Sequence, residues 1–413
     1  MKKIIMFILI FILYNHSFSF ISAESNNELA AAFIKNNDLW IKIKDKEMRV
    51  TNGEYVRFPK WSFDGNWIAY IRGIKEGQTP LYQGELWLYD VKSNTHFKVT
   101  SNVNKNFQWA PNRNTLGYQS DKVLKITDVK SLNVHHNIAS GIINFSWLPD
   151  GSGLLTSSKA GESVFSDILL NKFILKNNNQ FQPHHFFTIR VREDDNFYGT
   201  SQFKWSYDHC WIAFQIIPTA SLSADSNTIG VLSNDGRSFY MVGEMLNYEE
   251  WFQWAPGKNF LAYVQGINRI STLNKKLEVK NIHKDTKVLI TPKGYVDRDL
   301  TWKTDNQIFV SRSAESDLVD VAQRPMPSIY HVNLVTNKQK KITYPSSNEG
   351  DFYPISLKNE EKFIWIRTNR EQASVLIGDT NGINQRHWIK KIDLGTWYYE
   401  HWNWNEVFSL YQP

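Results

Sequence analysis

The sequence predicts an all-β protein: a β-propeller of four-stranded blades, eight in number with seven as the alternative, closed by strands from both termini. Three observations carry this prediction. Aromatic residues are abundant, with 16 Trp, 18 Tyr and 25 Phe among 413 residues, and such flat side chains pack well on a pleated surface. A Trp-centred pattern recurs along nearly the whole chain, at a spacing that suits four short strands and four turns. With 42% hydrophobic and 21% charged residues, the chain has the apolar content for a core, which excludes a disordered polypeptide.

Charge and cysteine content narrow the function. The formal charge is +6, and Lys2 and Lys3 fall in a segment expected to be removed. The remainder is too small on a chain this long to indicate nucleic acid or a membrane surface as partner. Cys210 is the sole cysteine, so neither an intrachain disulfide nor a Cys-based metal cluster can form.

The elements follow in order. Lys2-Lys3, an apolar run over residues 4–14 and a small-residue stretch ending Ser22-Ala23 have the layout of a secretory signal peptide. This predicts a signal peptide over 1–23 and a single propeller domain over 24–413. Asn15, His16 and Ser17 interrupt the run before the roughly 20 apolar residues that a spanning helix needs. No transmembrane anchor is therefore expected after cleavage, and the protein is expected to be exported: secreted, cell-surface or periplasmic. Residues 32–35, 39–41 and 48–51 then read as the last three strands of a blade that lacks its first.

Residues 58–70 set the template of the repeat. Trp61 would lie on the innermost strand and pack between neighbouring sheets. Ser62 to Gly65 would make the reverse turn, with Asp64 hydrogen-bonding its backbone and Gly65 taking a positive φ. Ile68-Ala69-Tyr70 would open the second strand. The Trp position returns at residues 61, 109, 147, 205, 254, 302, 355 and 404, with Ile at 355. A second half-motif, residues 86–90 followed by 97–100, supplies the two outer strands, and repeats at 277–279 with 288–291 and at 329–332 with 341–343. Residues 402–410 read as the first one or two strands of a blade lacking its end. Joined to the N-terminal strands, they close the ring and remove its free edges. An irregular stretch over 355–392 would reduce the count to seven.

The W-S-x-D-G-x-x-I-A-Y pattern of residues 61–70 resembles the repeat of TolB-like propellers and of the propeller domain of prolyl-oligopeptidase-type enzymes. The resemblance spans nearly all of the chain after the signal peptide. It implies the architecture and not a site, because the motif residues build the blade. TolB carries an α/β domain ahead of its propeller, and a strand pattern that begins by about residue 31 predicts a chain without it. The peptidases carry an α/β-hydrolase domain with a G-x-S-x-G nucleophile. No such motif occurs here, and Phe165 stands where the closing Gly after Ser163 would be. G-x-G-x-x-G, P-loop, H-E-x-x-H and EF-hand patterns are absent as well. Peptidase, kinase and dinucleotide enzyme are thereby excluded.

With strands lettered a to d from the channel outward, the b–c and d–a connections share one face. Long connections fall there, at residues 73–84, 217–227, 313–327 and 190–200, and a rigid ring bearing long loops on one face is expected to bind there. Just ahead of strand a, Glu250, Asp351 and Glu400 stand four residues before the Trp position, and Asp299, Asn106 and Asn144 stand three before. They predict a polar ring at the channel mouth with one acidic arc, suited to a basic ligand group or a divalent cation such as calcium. His135-His136 and His184-His185 cannot each ligate one metal as a pair, since strand neighbours face opposite sides. Only His401 is placed to look into the channel. Nothing in the sequence around Cys210 would lower its pKa. The expected function is that of an exported, non-enzymatic propeller, without catalytic residues or a resident cofactor, binding a protein or cell-envelope component on its long-loop face. The alternative is a carbohydrate-active enzyme, a lyase or glycosidase at the central channel, which requires an acid/base pair such as two carboxylates about 5–10 Å apart.

Overall fold

The computed structural model describes residues 28–73, 84–176, 181–192, 194–399 and 401–413. The expected signal peptide, most of the 73–84 connection and Glu400 lie outside the described residues. Within them the secondary structure is strand, with five short 3-10 turns, and no helix is long and apolar enough to cross a membrane.

All strand pairing is antiparallel and, apart from the closure and one split inner strand, between sequence neighbours. Among the described residues there are five four-stranded sheets, one of seven strands, one of five and one of two. The seven-stranded sheet is two sets sharing one long strand: Thr95–Trp109 pairs through its first half with Gly84–Asp90 and through its second with Thr115–Ser120. In the five-stranded sheet the inner strand is split, Phe197–Thr200 and Lys204–Trp205 both pairing with Trp211–Pro218. Most of the described strands thus group as four-stranded antiparallel sets, the arrangement of a β-propeller. In the stretch 355–392, Lys362–Thr368, Ala373–Asp379 and Arg386–Ile392 stack outward from Gly350–Ser356, with register breaks at Ala373–Leu376.

The Trp position explains the repeat. Trp109 donates its indole N–H to the carbonyl of Lys60 (3.0 Å), Trp147 to Gln108 (3.0 Å), Trp254 to Lys204 (2.8 Å) and Trp302 to Gln253 (3.1 Å). Each acceptor is the residue just before the Trp position in the preceding sheet. Trp serves because it joins a large apolar body to one donor at its far edge. The turn that follows is held as expected: Asp64 accepts from Ser62 Oγ and from the Asn66 backbone N–H, and Asn114 of the next sheet donates to its other oxygen at 2.7 Å. Gly65 has φ +68°, and His209 fills the same turn slot at +58°.

Closure uses both termini, in a different register from the one expected. Phe408–Tyr411 is the innermost strand, followed outward by Ala30–Lys35, Asp38–Ile43 and Lys46–Arg49, with Phe33 opposite Phe408 and Ala30 opposite Tyr411. The C-terminus therefore contributes one strand. Trp61 donates to the carbonyl of Ser409 (3.2 Å), which puts Leu410, not Trp404, in the Trp position. Trp404 lies in a 3-10 turn and Trp402 in a two-stranded hairpin, Trp397–Tyr398 with His401–Trp402. They mimic the repeat motif in sequence but pack on Phe352, with ring centroids 5.3 Å away for Trp402 and 6.3 Å for Trp404. A second slip is one residue long. Ser356 pairs with Phe363 as Trp61 pairs with Ile68 and Trp302 with Ile308, so Ser356 and not Ile355 occupies the Trp position.

Candidate functional site

Where the innermost strands begin, they surround a cavity of about 1450 Å³. Every innermost strand contributes to its wall, and Ile217, Ser223 and Ala224 reach it from one of the long b–c connections. The cavity thus opens on the long-loop face.

At four of the repeats the residue before the Trp position lines this space and fastens adjacent strand sets. Gln108 Nε2 donates to the Phe145 carbonyl and Gln253 Nε2 to that of Leu300, both at 2.7 Å. Lys60 Nζ does the same to Phe107 (2.8 Å) and Lys204 Nζ to Phe252 (2.9 Å). Burial in the wall pulls the Lys60 amine down to about 8, with Lys105 adding to the effect and the charge of Glu249 opposing it. Burial also lowers Lys204, against Glu249 and Glu250. Sequence reasoning passed over both lysines, although Lys-Trp and Gln-Trp each occur twice at the repeat position.

Of the expected mouth residues, Asn106, Asn144, Glu250 and Asp299 line the cavity. Asn106 donates to Asn144 Oδ1 (2.6 Å), and the buried Nδ2 of Asn144 has no partner among the described residues. Asp299 is 1% exposed and committed on both oxygens. Its Oδ1 accepts from Trp251 Nε1 and His401 Nε2, each at 2.8 Å, and Oδ2 accepts from the Tyr353 backbone N–H at 3.1 Å. A register break between Arg298 and Leu300 puts Asp299 at φ +38°. Phe58 and Tyr353, three before the corrected Trp positions of their own strands, have φ +57° and +52° beside similar breaks. The inner strands thus bulge where they meet the cavity, and the bulge aims these side chains.

Glu250 completes a cluster with Asp299 and His401, whose ligand atoms lie within 4.8 Å of one another. Burial and the nearby Asp299 charge push the Glu250 carboxyl up, against the pull of His401 and Lys204. Burial acts on Asp299 in the same sense, but His401 and the donated hydrogen bonds outweigh it and hold its carboxyl below the ordinary value. An ionised Asp299 requires His401 Nε2 to be its donor, and the buried Nδ1 then has no partner. Tyr248 covers the imidazole, with ring centroids 3.9 Å apart. Its hydroxyl donates to the Tyr398 carbonyl, and Ser271 donates to that of Tyr399, so the 397–402 hairpin is strapped across to a neighbouring sheet. The cluster does not suit calcium. The Trp251 N–H lies within 3.0 Å of both Asp299 Oδ1 and His401 Nε2, and calcium takes six to eight oxygen ligands.

Asp351 is not at the mouth. It is fully buried and accepts from Arg367 Nε (2.7 Å) and Nη2 (3.0 Å). Counted from Ser356 it stands five residues before the Trp position. Asp297 holds the same place before Trp302 and pairs with Arg312 at 2.5 and 2.7 Å. A one-residue slip in a strand reverses the side a residue faces, and here it moves Asp351 from the channel into a buried ion pair between strands a and b. With Glu400 outside the described residues, the acidic arc among them reduces to Glu250 and Asp299. His135 lies elsewhere and shares a hydrogen bond with the Tyr118 hydroxyl. Burial and Asp208 push the Cys210 thiol up, the wrong direction for a nucleophile.

No protein-family model matches the chain, and no curated protein sequence matches it. Solved structures match its fold. Dihydro-heme d1 dehydrogenase NirN in complex with DHE aligns with TM-score 0.60 and 12% identity, over 92% of this chain and 76% of that one. A puromycin hydrolase mutant complexed with PGG aligns with TM-score 0.52 and 9% identity, over 83% and 55%. A prolyl endopeptidase aligns with TM-score 0.51 and 11% identity, over 82% and 50%. The chain thus spans about half the length of the hydrolase and the endopeptidase, and the likeness is one of propeller fold.

Proposed function

We propose that the protein is a binding β-propeller, without enzymatic activity, whose ligand, a protein or a cell-envelope component, enters the channel mouth on the long-loop face. The observation that carries this reading is the cavity itself: large, walled by every inner strand, and lined with side-chain amides such as Asn104, Gln202 and Gln253 beside aromatic rings such as Tyr198, Tyr248 and Trp397. Amides offer a donor and an acceptor together, and aromatic faces add contact area at little entropic cost. A reaction needs more. The carboxylate pair of a glycosidase stands apart with both members free to act, whereas Asp299 is spent on three hydrogen bonds and His401 is fully buried.

The carbohydrate-active alternative keeps one supporting observation. The raised carboxyl of Glu250 and the lowered amine of Lys204 line one cavity, and titratable groups pushed in opposite directions are how acid and base roles are divided. The test of the binding reading is retention of envelope components by the wild type and by mouth-filling variants, Asn104→Trp and Ser223→Trp. Retention lost in both variants, with melting unchanged, supports it. Retention equal to wild type in both contradicts it. Turnover of an envelope polysaccharide that stops in Glu250→Gln would establish the alternative.

A further inference from the structure

Four of the innermost strands make the same contact with two different side chains. Gln108 and Gln253 clasp the next sheet with a neutral amide, and Lys60 and Lys204 make the equivalent bond with an amine. The clasp therefore needs no charge. An ammonium in its place must be desolvated, which is costly unless a counter-charge is supplied. Neither Lys60 nor Lys204 has a carboxylate within 4.0 Å among the described residues. The rings of Phe107 and Phe252, 4.3 and 4.1 Å from the two nitrogens, offset part of the cost. Glu249 is within electrostatic reach of each without pairing with it. Each amine has two carbonyl acceptors, Lys105 and Phe107 for Lys60, and Glu249 and Phe252 for Lys204. An ammonium has three N–H groups, so one on each side chain has no partner among the described residues, and both side chains line the same cavity.

We propose that the channel mouth binds an anionic group of its ligand, a carboxylate or a phosphate, at Lys60 and Lys204. This rests on the reading of the mouth as the ligand site and specifies its chemistry. The expected partner carries an acidic group presented on a body small enough to enter the cavity, with the wall amides engaging its neutral part.

The test uses sodium acetate and sodium sulfate as probes, at ionic strength held constant with sodium chloride, on the full chain and on Lys60→Gln, Lys204→Gln and the double variant. Glutamine is the replacement the fold already uses at this position, so the clasp is retained and only the charge is removed. Calorimetric titration and thermal melts are expected to show saturable binding in the wild type, weakened about tenfold in each single variant and lost in the double variant. Response to acetate alone assigns a carboxylate, and response to sulfate alone assigns a phosphate-type oxyanion. No saturable binding of either probe to the wild type overturns the proposal. So does an equal rise in the double variant, which would report only the general effect of salts on exposed surface. The wild-type pH profile decides independently of the variants. Both probes keep their charge above about pH 6, so binding must weaken as the amines lose their protons, that of Lys60 near 8. Affinity unchanged up to about pH 10, the ordinary lysine range, would also overturn it. Should the double variant still retain envelope components while the mouth-filling variants do not, the anion fails and the mouth reading stands.

Discussion

Replacing Asp299 by Asn leaves the shape of the site intact and removes its charge. Asp299, 1% exposed, receives three donors: the Trp251 indole, the His401 imidazole and the Tyr353 backbone. An asparagine can satisfy one side only. With its carbonyl toward Trp251 and His401, its NH2 confronts the Tyr353 N–H, and turning the amide over moves the conflict to the other pair. A buried polar group left unpaired costs about 1–3 kcal/mol, and a hydrogen bond to a charged group is worth roughly 1.5–3 kcal/mol. The expected loss at neutral pH is therefore about 3–5 kcal/mol, read from urea denaturation followed by tryptophan fluorescence. The pH dependence adds a second check. The Asp299 carboxyl is held below its ordinary value, so its stabilisation is full above the unfolded value of about 3.9 and drains away as pH falls through the lower folded value. The gap between wild type and Asp299→Asn should therefore close in acid. A loss under about 0.5 kcal/mol at neutral pH, the range of an ordinary surface change, would refute the reasoning. A gap of the same size in acid and at neutrality would refute it too.

Three further outcomes are expected. Trp61→Ala should cost about 3–5 kcal/mol in urea denaturation, as large core truncations do, and Trp61→Phe, which loses chiefly the bond to the Ser409 carbonyl, about 1 kcal/mol; equal losses would deny the indole N–H its part. Deleting residues 402–413 removes the innermost strand of the closing sheet, and melting should turn broad and move to lower temperature, whereas an unchanged melt contradicts the closure. Millimolar calcium against a chelator should leave the melting midpoint of the wild type where it is, since Asp351 is paired with Arg367 and Asp299 is committed; a rise that Glu250→Gln abolishes would restore a cation site.

The architecture was legible because it rests on a local rule repeated many times. Trp61, Trp109, Trp147, Trp254 and Trp302 all make the same bond to the preceding sheet, so one misread copy leaves the pattern standing. The mouth was less legible because facing depends on register to the single residue. Reading Ile355 for Ser356 was enough to bring Asp351 to the channel, and reading Trp404 for Leu410 hid the hairpin. The arginines opposite Asp297 and Asp351 were available as a signal, since two acid–arginine pairs at one repeat position speak for an ion pair. His401 lines the cavity, from a hairpin and not from an inner strand. Its bonding to Asp299 was beyond reach, because the two residues are 102 positions apart and meet only through the strapped hairpin.

The central claim is that ligand binds the long-loop face and not the opposite one. Two tyrosines of similar exposure report on the two faces: Tyr198 at the cavity wall, 48% exposed, and Tyr207 in an a–b turn, 50% exposed. Each would be replaced, one at a time, by a photo-reactive phenylalanine and irradiated with an envelope fraction. Cross-linking from position 198 that is absent at 207, and that disappears in the Ser223→Trp background, is the predicted result. Cross-linking from 207 alone, or equally from both positions, would contradict the account.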